Sequence, residues 1–169
     1  MYTIGDKIVY PLYGAGTIQD LENKDINGVT STYYVLDIPI GNLTIHVSAA
    51  KADDMGVRLV TEKTLIAAQI ATAITAKVNP SLNWNLRYKE NMNRIKSGDL
   101  PQVAIVYNSL LLRERDKGLS TAEKKMMISA KQIILSEIIL SLDIEKEAAE
   151  TTLGEIFNPP IHLERTSPS

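Results

Sequence analysis

The sequence has few of the residues that most often perform chemistry in proteins. Its 169 residues include no cysteine and only two histidines, His46 and His162. The lack of cysteine excludes a disulfide framework, a thiolate nucleophile and a thiolate metal site. Two histidines so far apart do not have metal-ligand spacing and do not suggest a nucleophile and its base. The chain is therefore predicted to be no enzyme and to need no cofactor and no metal.

Long apolar runs are missing as well. No stretch approaches the roughly 18 to 20 apolar residues that a membrane span requires. The start MYTIGDKIVY also lacks the basic-then-apolar order of a signal peptide. Together with the absence of cysteine, these features predict a cytoplasmic protein with no membrane partner.

Two short patterns favour chemistry only weakly. Asp53 and Asp54 could hold a metal ion as a carboxylate pair, but adjacent acids near a glycine are typical of a solvated turn. Gly14-Ala15-Gly16 resembles the start of a phosphate loop, yet no G-x-G-x-x-G or G-K-[ST] follows, and a tight turn explains it. A hydrolase is therefore the least favoured interpretation, and a metal ion at Asp53 and Asp54 would revive it.

Charge is unevenly distributed along the chain. The net charge is −2, but residues 84–125 contain 9 basic and 5 acidic side chains. Residues 1–83 contain 6 and 8, and residues 126–169 contain 3 and 7. Local potential matters more to docking than the total charge. The middle segment is therefore the part of the chain that could approach an anionic partner.

The first sixty residues have the pattern of a small β-domain. Runs rich in β-branched and aromatic residues predict strands at 7–10, 16–21, 32–38, 43–47 and 57–60. Turn residues separate them at 11–14, 23–28 and 39–42. Five short strands predict a strongly bent barrel of the SH3 or Tudor type, which is usually a binding module.

The rest of the chain has helical periodicity. Residues 61–77 predict a helix capped by Thr61, with Leu65, Ile66, Ile70, Ala73 and Ile74 forming its apolar stripe. Pro80 breaks this helix, which makes 78–82 a candidate domain boundary. The overall prediction is an α+β protein with a barrel at 1–60, about five helices in 61–157 and a disordered tail at 158–169.

Three further helices have recognisable ends. Asp99 is predicted to cap the first of them. Pro101 is tolerated in its first turn, and Gly118 ends it. Ser120 and Glu123 form an S-x-x-E capping box that begins the next, which is expected to run to about Leu142. An acidic helix is predicted at 144–156.

The only tryptophan of the chain opens another predicted helix. If Asn83 caps this helix, Trp84 is its first residue. Tyr88, Met92 and Ile95 then form an apolar face, and Trp84 lies at the open end of it. We therefore expect the indole to be displayed rather than buried.

Cations accompany the tryptophan. Four lie in the same helix, at Arg87, Lys89, Arg94 and Lys96. Lys124 and Lys125 lie near the start of a later helix, where amide dipoles favour phosphate. A flat apolar ring beside cations suits a nucleic acid, because it offers a wedge or a stacking surface to bases.

Other interpretations stay open from the residues alone. Trp84 could cover a hydrophobic core or pack on a neighbouring domain, and the cations could form an ordinary solvated face. The leading alternative is a protein-only adaptor, in which Trp84 binds another protein and the basic face pairs with acidic side chains. A salt-insensitive interaction without a DNA footprint would favour that alternative.

The motifs resemble one family when they are taken together. GDKIVYPLYGAGTI and YYVLDIPIGNLTIHV look like the RNA polymerase interaction domain of the CarD/CdnL bacterial transcription regulators, a Tudor-like barrel shared with the transcription-repair coupling factor. NWNLRYKENMNRIKSGD, QVAIVYNSL and KGLSTAEKKMMISAKQIILSEI are similar to the family's helical domain. The resemblance covers about residues 1–157 in order.

The resemblance implies partners and contact residues. The barrel would bind the β subunit of RNA polymerase through the hairpin residues Lys24, Asp25, Ile26 and Asn27 and through Thr44 and His46. The helical domain would contact promoter DNA at the upstream edge of the melted bubble without reading its sequence. There Trp84 would enter the minor groove while Arg87, Lys89 and Lys124 hold the backbone. The implied function is stabilisation of the open complex, and the protein is expected to be a monomer.

Overall fold

The computed structural model describes residues 1–78 and 83–158. Its N-terminal part is an antiparallel sheet with the strand order β4-β3-β2-β1-β5. The strands are β1 (Lys7–Tyr10), β2 (Gly14–Ile26), β3 (Val29–Ile38), β4 (Leu43–Ser48) and β5 (Arg58–Leu59). They form the small Tudor-like barrel that the strand pattern predicts.

Alternating side chains build the core of this barrel. Successive residues of a strand point to opposite faces, so every second apolar residue turns inward. Tyr34, Leu36 and Ile38 of β3 are all nearly inaccessible to solvent. They pack with residues from the neighbouring strands and loops, namely Ile8, Ile18, Val47, Ala52 and Val57.

The β2–β3 hairpin is longer than predicted. The expected turn at 23–28 is wrong for its first four residues, because β2 continues to Ile26, which pairs with Val29. Only Asn27 and Gly28 form the turn, with φ of +53° and +79°. Positive φ at both central residues suits the twist of a two-residue hairpin. Polar residues stay in the strand because their side chains bond across it, as where Thr32 Oγ1 donates to Asn23 Oδ1 over 2.9 Å.

Five helices follow the barrel in the part of the chain that the structure describes. They are α1 (Ile66–Thr75), α2 (Trp84–Lys96), α3 (Leu100–Asp116), α4 (Thr121–Leu142) and α5 (Lys146–Phe157). Their apolar faces form a second core, separate from that of the barrel. The predicted inner face of α3 is confirmed, since Val103, Val106, Tyr107 and Leu110 are all buried. We call the five helices the helical bundle.

The first helix differs most from its prediction. It begins at Ile66 rather than near Thr61, and Thr61 is not its cap, because the N-cap position is Leu65. Thr61 instead donates from N and Oγ1 to Glu137 Oε2, over 2.9 and 2.7 Å. Two of the five expected stripe residues, Leu65 and Ile74, are exposed. Thr61 therefore does not cap α1, because its hydrogen bonds go to the Glu137 carboxylate on α4.

The other helix ends follow their predictions with two exceptions. Ser120 and Glu123 form the expected capping box, and α4 ends at Leu142 as predicted. Asp99 occupies the N-cap position of α3, but its side chain makes no capping bond. The last helix begins at Lys146, two residues later than expected.

One ion pair fastens the barrel to the bundle. Arg58 on β5 donates from both terminal nitrogens to Glu137 on α4, over 2.8 Å each, and from Nε to the Gly98 carbonyl over 3.0 Å. Glu137 is only 1% exposed. With the two bonds from Thr61, the carboxylate has four donors, so its buried charge is compensated. We call this group, Arg58, Thr61 and Glu137, the junction.

Glycine permits a close approach beside the junction. A Cβ on Gly14 would lie 2.6 Å from Ser136 Oγ on α4, and Gly14 has a φ of +112°. The neighbouring amide, Ala15 N, donates to Ser136 Oγ over 2.9 Å. Gly14 therefore lets β2 pack closely against α4, and the tight turn expected at residues 14–16 is wrong, because all three residues belong to β2.

Two predicted features lie outside the described residues. The helix break at Pro80 belongs to residues 79–82. Of the expected tail at 158–169, only Asn158 is described.

Candidate nucleic-acid interface

The tryptophan stands at the start of α2. Asn83 Oδ1 accepts a hydrogen bond from Leu86 N over 3.0 Å, so the predicted cap is present. Trp84 is the first helical residue and is 42% exposed. Tyr88, Met92 and Ile95 pack on the bundle core from the same helix. The expectation that the indole is exposed rather than buried agrees with the 42% exposure of Trp84.

Two contacts hold the indole although much of it is exposed. Its face stacks on Tyr88, with ring centroids 5.3 Å apart and planes 19° apart. Its Nε1 donates to Ser120 Oγ over 3.2 Å. Tyr88 is one turn along α2, whereas Ser120 caps α4. The ring is therefore supported by two different helices.

Ser120 belongs to the capping box of α4. Its Oγ accepts from Glu123 N over 3.2 Å and donates to Glu123 Oε1 over 3.1 Å. The sequence pattern identified this box only as a helix start. Its contact with Trp84, 36 residues away, was missed, because a capping motif carries no information about which distant side chain lies beside it.

Glu123 connects three helices. Its Oε2 accepts from Arg87 Nε on α2 over 3.1 Å and lies 3.9 Å from Arg113 Nε on α3. Burial acts to raise the pKa of Glu123, but hydrogen bonds from Arg87 and Ser120 and the charge of Arg87 outweigh it. The net result is a pKa below the usual value. Glu123 is therefore a buried carboxylate that stays charged.

The predicted DNA-contacting cations divide into two kinds. Lys89, Lys124 and Lys125 are exposed. The Arg87 side chain is only 15% exposed and is directed to Glu123. Its role as a phosphate contact stays a prediction, and its position shows that it also anchors α2 to α4. Trp84, Tyr88, Ser120 and the three lysines are called the Trp84 surface below.

Electrostatics favour anions at the Trp84 surface. The contact between Trp84 and Ser120 brings together the N-termini of α2 and α4, because each residue lies at the start of its helix. The positive ends of two helix dipoles are thus adjacent, and the exposed lysines lie within or just beyond the first turns. Glu123 offsets part of this potential, but it is paired with arginine.

The predicted polymerase-binding residues lie on the barrel hairpin and on β4. Lys24 Nζ is 5.2 Å from the centroid of the Tyr33 ring, and Asp25 accepts from Thr30. Ile26 and Asn27 are exposed at the hairpin tip.

The two predicted residues of β4 are exposed on an edge strand. Thr44 pairs with Asp37 and His46 with Val35. His46 Nε2 lies 3.1 Å from Glu22 Oε2 on β2, which brings His46 toward the strand that contains Lys24. The structure thus gathers most of the predicted set on one side of the barrel, and the binding role stays a prediction.

Among the described residues, those that could indicate another kind of site form none. Asp53 and Asp54 lie exposed in the turn before β5. Across residues 1–78 and 83–158, no three His, Asp or Glu side chains group so as to hold a metal ion. None of the helices in those ranges is long and apolar enough to cross a membrane.

The barrel and the helical bundle each match a domain of the CarD-like transcription regulators. Residues 2–60 match the CarD-like/TRCF RID domain, and residues 71–154 match the CarD C-terminal domain. The chain is also 33% identical over 138 residues to a Bacillus subtilis strain 168 protein named "Putative transcription factor YdeB". That match covers 82% of this chain and 90% of the relative. The chain belongs to the CarD/CdnL family, and the predicted resemblance is confirmed.

Proposed function

We propose that this protein stabilises the open complex of bacterial transcription by holding RNA polymerase and promoter DNA together. The barrel binds the polymerase β subunit, and the helical bundle contacts the DNA at the upstream edge of the bubble. The protein acts as a cytoplasmic monomer without catalysis. Its functional division is into residues 1–60 and 61–157.

The observation that carries this proposal is the exposed, supported indole of Trp84. An apolar side chain that enters the minor groove must unstack a base step, which costs a few kcal/mol in intact duplex. The cost is lower where the duplex is already opening. A wedge at that position therefore favours the open complex over the closed one, because it binds the two states differently.

The lysines of the Trp84 surface support a contact without sequence preference. Lys89, Lys124 and Lys125 present charge to phosphates, which position a protein on DNA but carry no base information. Because the indole enters the DNA as a wedge and does not hydrogen-bond base edges, the protein responds to the shape and deformability of the DNA. Recruitment to promoters then depends on polymerase.

The barrel offers an edge strand and a hairpin as the surface for the β subunit. β4 is an edge strand of the sheet, and an edge strand can pair with a strand of another protein. Thr44 and His46 lie on this strand, and the hairpin residues from Lys24 to Asn27 lie across β3 and beyond the end of β4. The match to a domain of the polymerase-interacting type favours this surface as well.

The wedge is tested by Trp84→Ala. We expect this variant to fold and to bind polymerase like the parent, and to lose most of the effect on open-complex lifetime, measured as the decay of competitor-resistant complexes. Leu86→Ala is a matched control, since Leu86 is an exposed apolar residue of the same first turn. Equal lifetimes with the parent and with Trp84→Ala would show that the indole is not a wedge.

A protein-only adaptor is the second candidate. A groove of about 500 Å³ is lined by Met92, Met126 and Tyr88, on which the tryptophan stacks, and could accept an apolar side chain of a partner. The two candidates differ in their response to salt, because contacts with phosphate weaken steeply as salt rises. A partner interaction that does not weaken with salt, together with no protection of promoter DNA, would favour the adaptor.

A further inference from the structure

We propose that Ser120, oriented by Glu123, positions the Trp84 ring for insertion. This inference rests on the proposed function, and it assigns a second role to a helix cap. Ser120 acts through the tryptophan and does not itself enter the DNA.

The Ser120 hydroxyl has its full set of partners. A serine hydroxyl has one hydrogen to donate and two lone pairs that accept. The hydrogen goes to Glu123 Oε1 at 3.1 Å, while the lone pairs accept from Glu123 N and from Trp84 Nε1, each at 3.2 Å. No capacity is left over, so the direction of each bond is determined by the other two.

The indole N–H and the Glu123 backbone N–H only donate, so the Ser120 hydroxyl must accept from both, and the charge of Glu123 suits the bond that remains. An ionised carboxylate only accepts hydrogen bonds. The hydroxyl hydrogen must therefore point to Glu123, which leaves a lone pair facing the indole N–H. Glu123 is 3% exposed and is itself held by Arg87 through its other oxygen at 3.1 Å. The order of contacts is Arg87, Glu123, Ser120 and Trp84.

The tyrosine stack completes the restraint. Tyr88 supports one face of the indole, and Ser120 fixes the edge that carries Nε1. A ring restrained on a face and on an edge keeps one orientation while it stays accessible. Less conformational freedom then has to be lost on insertion, which is how preorganisation strengthens binding.

The restraint also bears on specificity. The N–H is the only hydrogen-bond donor of the indole ring, and Ser120 already accepts it. A ring that enters the DNA in this orientation offers its faces and apolar edges to the bases. The bond to Ser120 therefore gives a physical reason for the lack of base preference.

The test uses Ser120→Gly and Ser120→Thr in the full chain. Glycine is nearly as good an N-cap as serine but removes the acceptor, whereas threonine keeps the hydroxyl. Because the chain has one tryptophan, its fluorescence quenching by acrylamide reports this indole alone. Open-complex lifetime is measured in parallel, with Lys124→Ala as a control that removes a proposed phosphate contact at the same helix end.

We expect Ser120→Gly to increase indole quenching and to shorten the open-complex lifetime by roughly two- to tenfold, the range for one hydrogen bond. Glu123→Gln should change the quenching in the same direction, because an amide has a single oxygen and cannot accept at both positions, from Arg87 and from Ser120, as the carboxylate does. Ser120→Thr should behave as the parent. Lys124→Ala should shorten the lifetime without altering the quenching.

Several results would overturn the inference. If Ser120→Gly lowers only the melting temperature and leaves the quenching unchanged, Ser120 is merely a cap. If the quenching rises but the lifetime stays that of the parent, while Trp84→Ala shortens it, the wedge stands and its positioning by Ser120 is rejected. If Trp84→Ala has no effect on lifetime, the proposed function fails, and with it the role of Ser120 in insertion.

Discussion

Two buried glutamates on α4 have the same kind of partner and different settings. Glu123 lies near the start of the helix and pairs with Arg87, and Glu137 lies further along and pairs with Arg58. They are about 21 Å apart along the helix at 1.5 Å per residue. Glu137 joins the barrel to the bundle, whereas Glu123 joins three helices and orients the cap beside Trp84.

The difference between the two lies in what surrounds them. Glu137 accepts two hydrogen bonds from Arg58 and two from Thr61. Among the described residues, the carboxylate of the junction bonds only to those that join the barrel to α4. Glu123 accepts a hydrogen bond from Ser120, and Ser120 in turn accepts one from the exposed Trp84 ring. A single helix thus has a structural site toward one end and a proposed functional site at the other. Because Trp84 bonds to Ser120 and Arg58 of the barrel bonds to Glu137, both contact the same helix, and the proposed wedge has a defined position relative to the barrel.

The largest effect is expected at the junction. Glu137→Ala leaves Arg58 and the amide of Thr61 without their acceptor, so we expect it to lower the free energy of unfolding by about 3–5 kcal/mol. Chemical denaturation measures this loss. Glu150→Ala, at an exposed position of α5, is the control and should change stability by no more than about 0.5 kcal/mol.

Arg58→Lys sharpens the same test. Lysine keeps the charge but cannot form the two-pronged contact with the carboxylate. Its stability should lie between those of the parent and Glu137→Ala. A loss of stability no larger than that of the Glu150→Ala control would show that the two-pronged contact of Arg58 with Glu137 is unimportant.

Glu123 should give a smaller effect that depends on pH. Glu123→Gln loses charge-assisted hydrogen bonds, which predicts a loss of roughly 1.5–3 kcal/mol at neutral pH. Because the folded pKa is below the ordinary value of 4.5, the contribution of the carboxylate is present above that value. It is lost as the pH falls through the folded pKa. The stability gap between parent and variant should therefore narrow on acidification, and a gap that is constant with pH would contradict the ionised pair.

The exposed lysines should affect DNA binding rather than stability. Lys89→Ala, Lys124→Ala and Lys125→Ala should each make the salt dependence of DNA binding shallower by about 0.9 in the log–log slope. Lys63→Ala, at an exposed site before α1, should leave the slope unchanged. An equal change from Lys63 would show that overall charge, and not the Trp84 surface, sets DNA affinity.

The smallest effects are expected from two helix caps. Asn83 bonds Leu86 N, so Asn83→Ala should cost about 1 kcal/mol of stability. Asp99 makes no capping bond, so Asp99→Ala should change stability by less than about 0.5 kcal/mol. Thermal unfolding compares the two variants. Equal losses would mean that Asp99 caps α3 in solution.

Local patterns predicted much of this architecture. The capping box of Ser120 and Glu123, the cap at Asn83 and the inner face of α3 are all formed, because each depends on residues within a turn or two. The hairpin turn was predicted too long, since the polar residues before Asn27 resemble a loop until cross-strand bonding is considered. The exposure of Trp84 followed from its place at the end of an apolar face.

Distant contacts explain what the patterns missed. Thr61 had the sequence of a helix cap, but Glu137, 76 residues away, accepts its hydrogen bonds. Glu137 did leave a signal, because it is an acid within an otherwise apolar helical stripe. Its partner Arg58 had none, since nothing near it in the chain indicates a buried carboxylate.

The sequence by itself determined the class of each half, the helix starts at Asn83 and Ser120 and the placement of a lone tryptophan among cations. Periodicity and capping are properties of neighbouring residues, so they can be read without coordinates. Only the tertiary structure decided that Arg87 pairs inward, that Ser120 accepts the indole N–H and that Arg58 joins the barrel to α4. These contacts depend on how helices and strands pack. Packing brings together side chains that are far apart in the sequence, and their positions in the sequence do not indicate that they will meet.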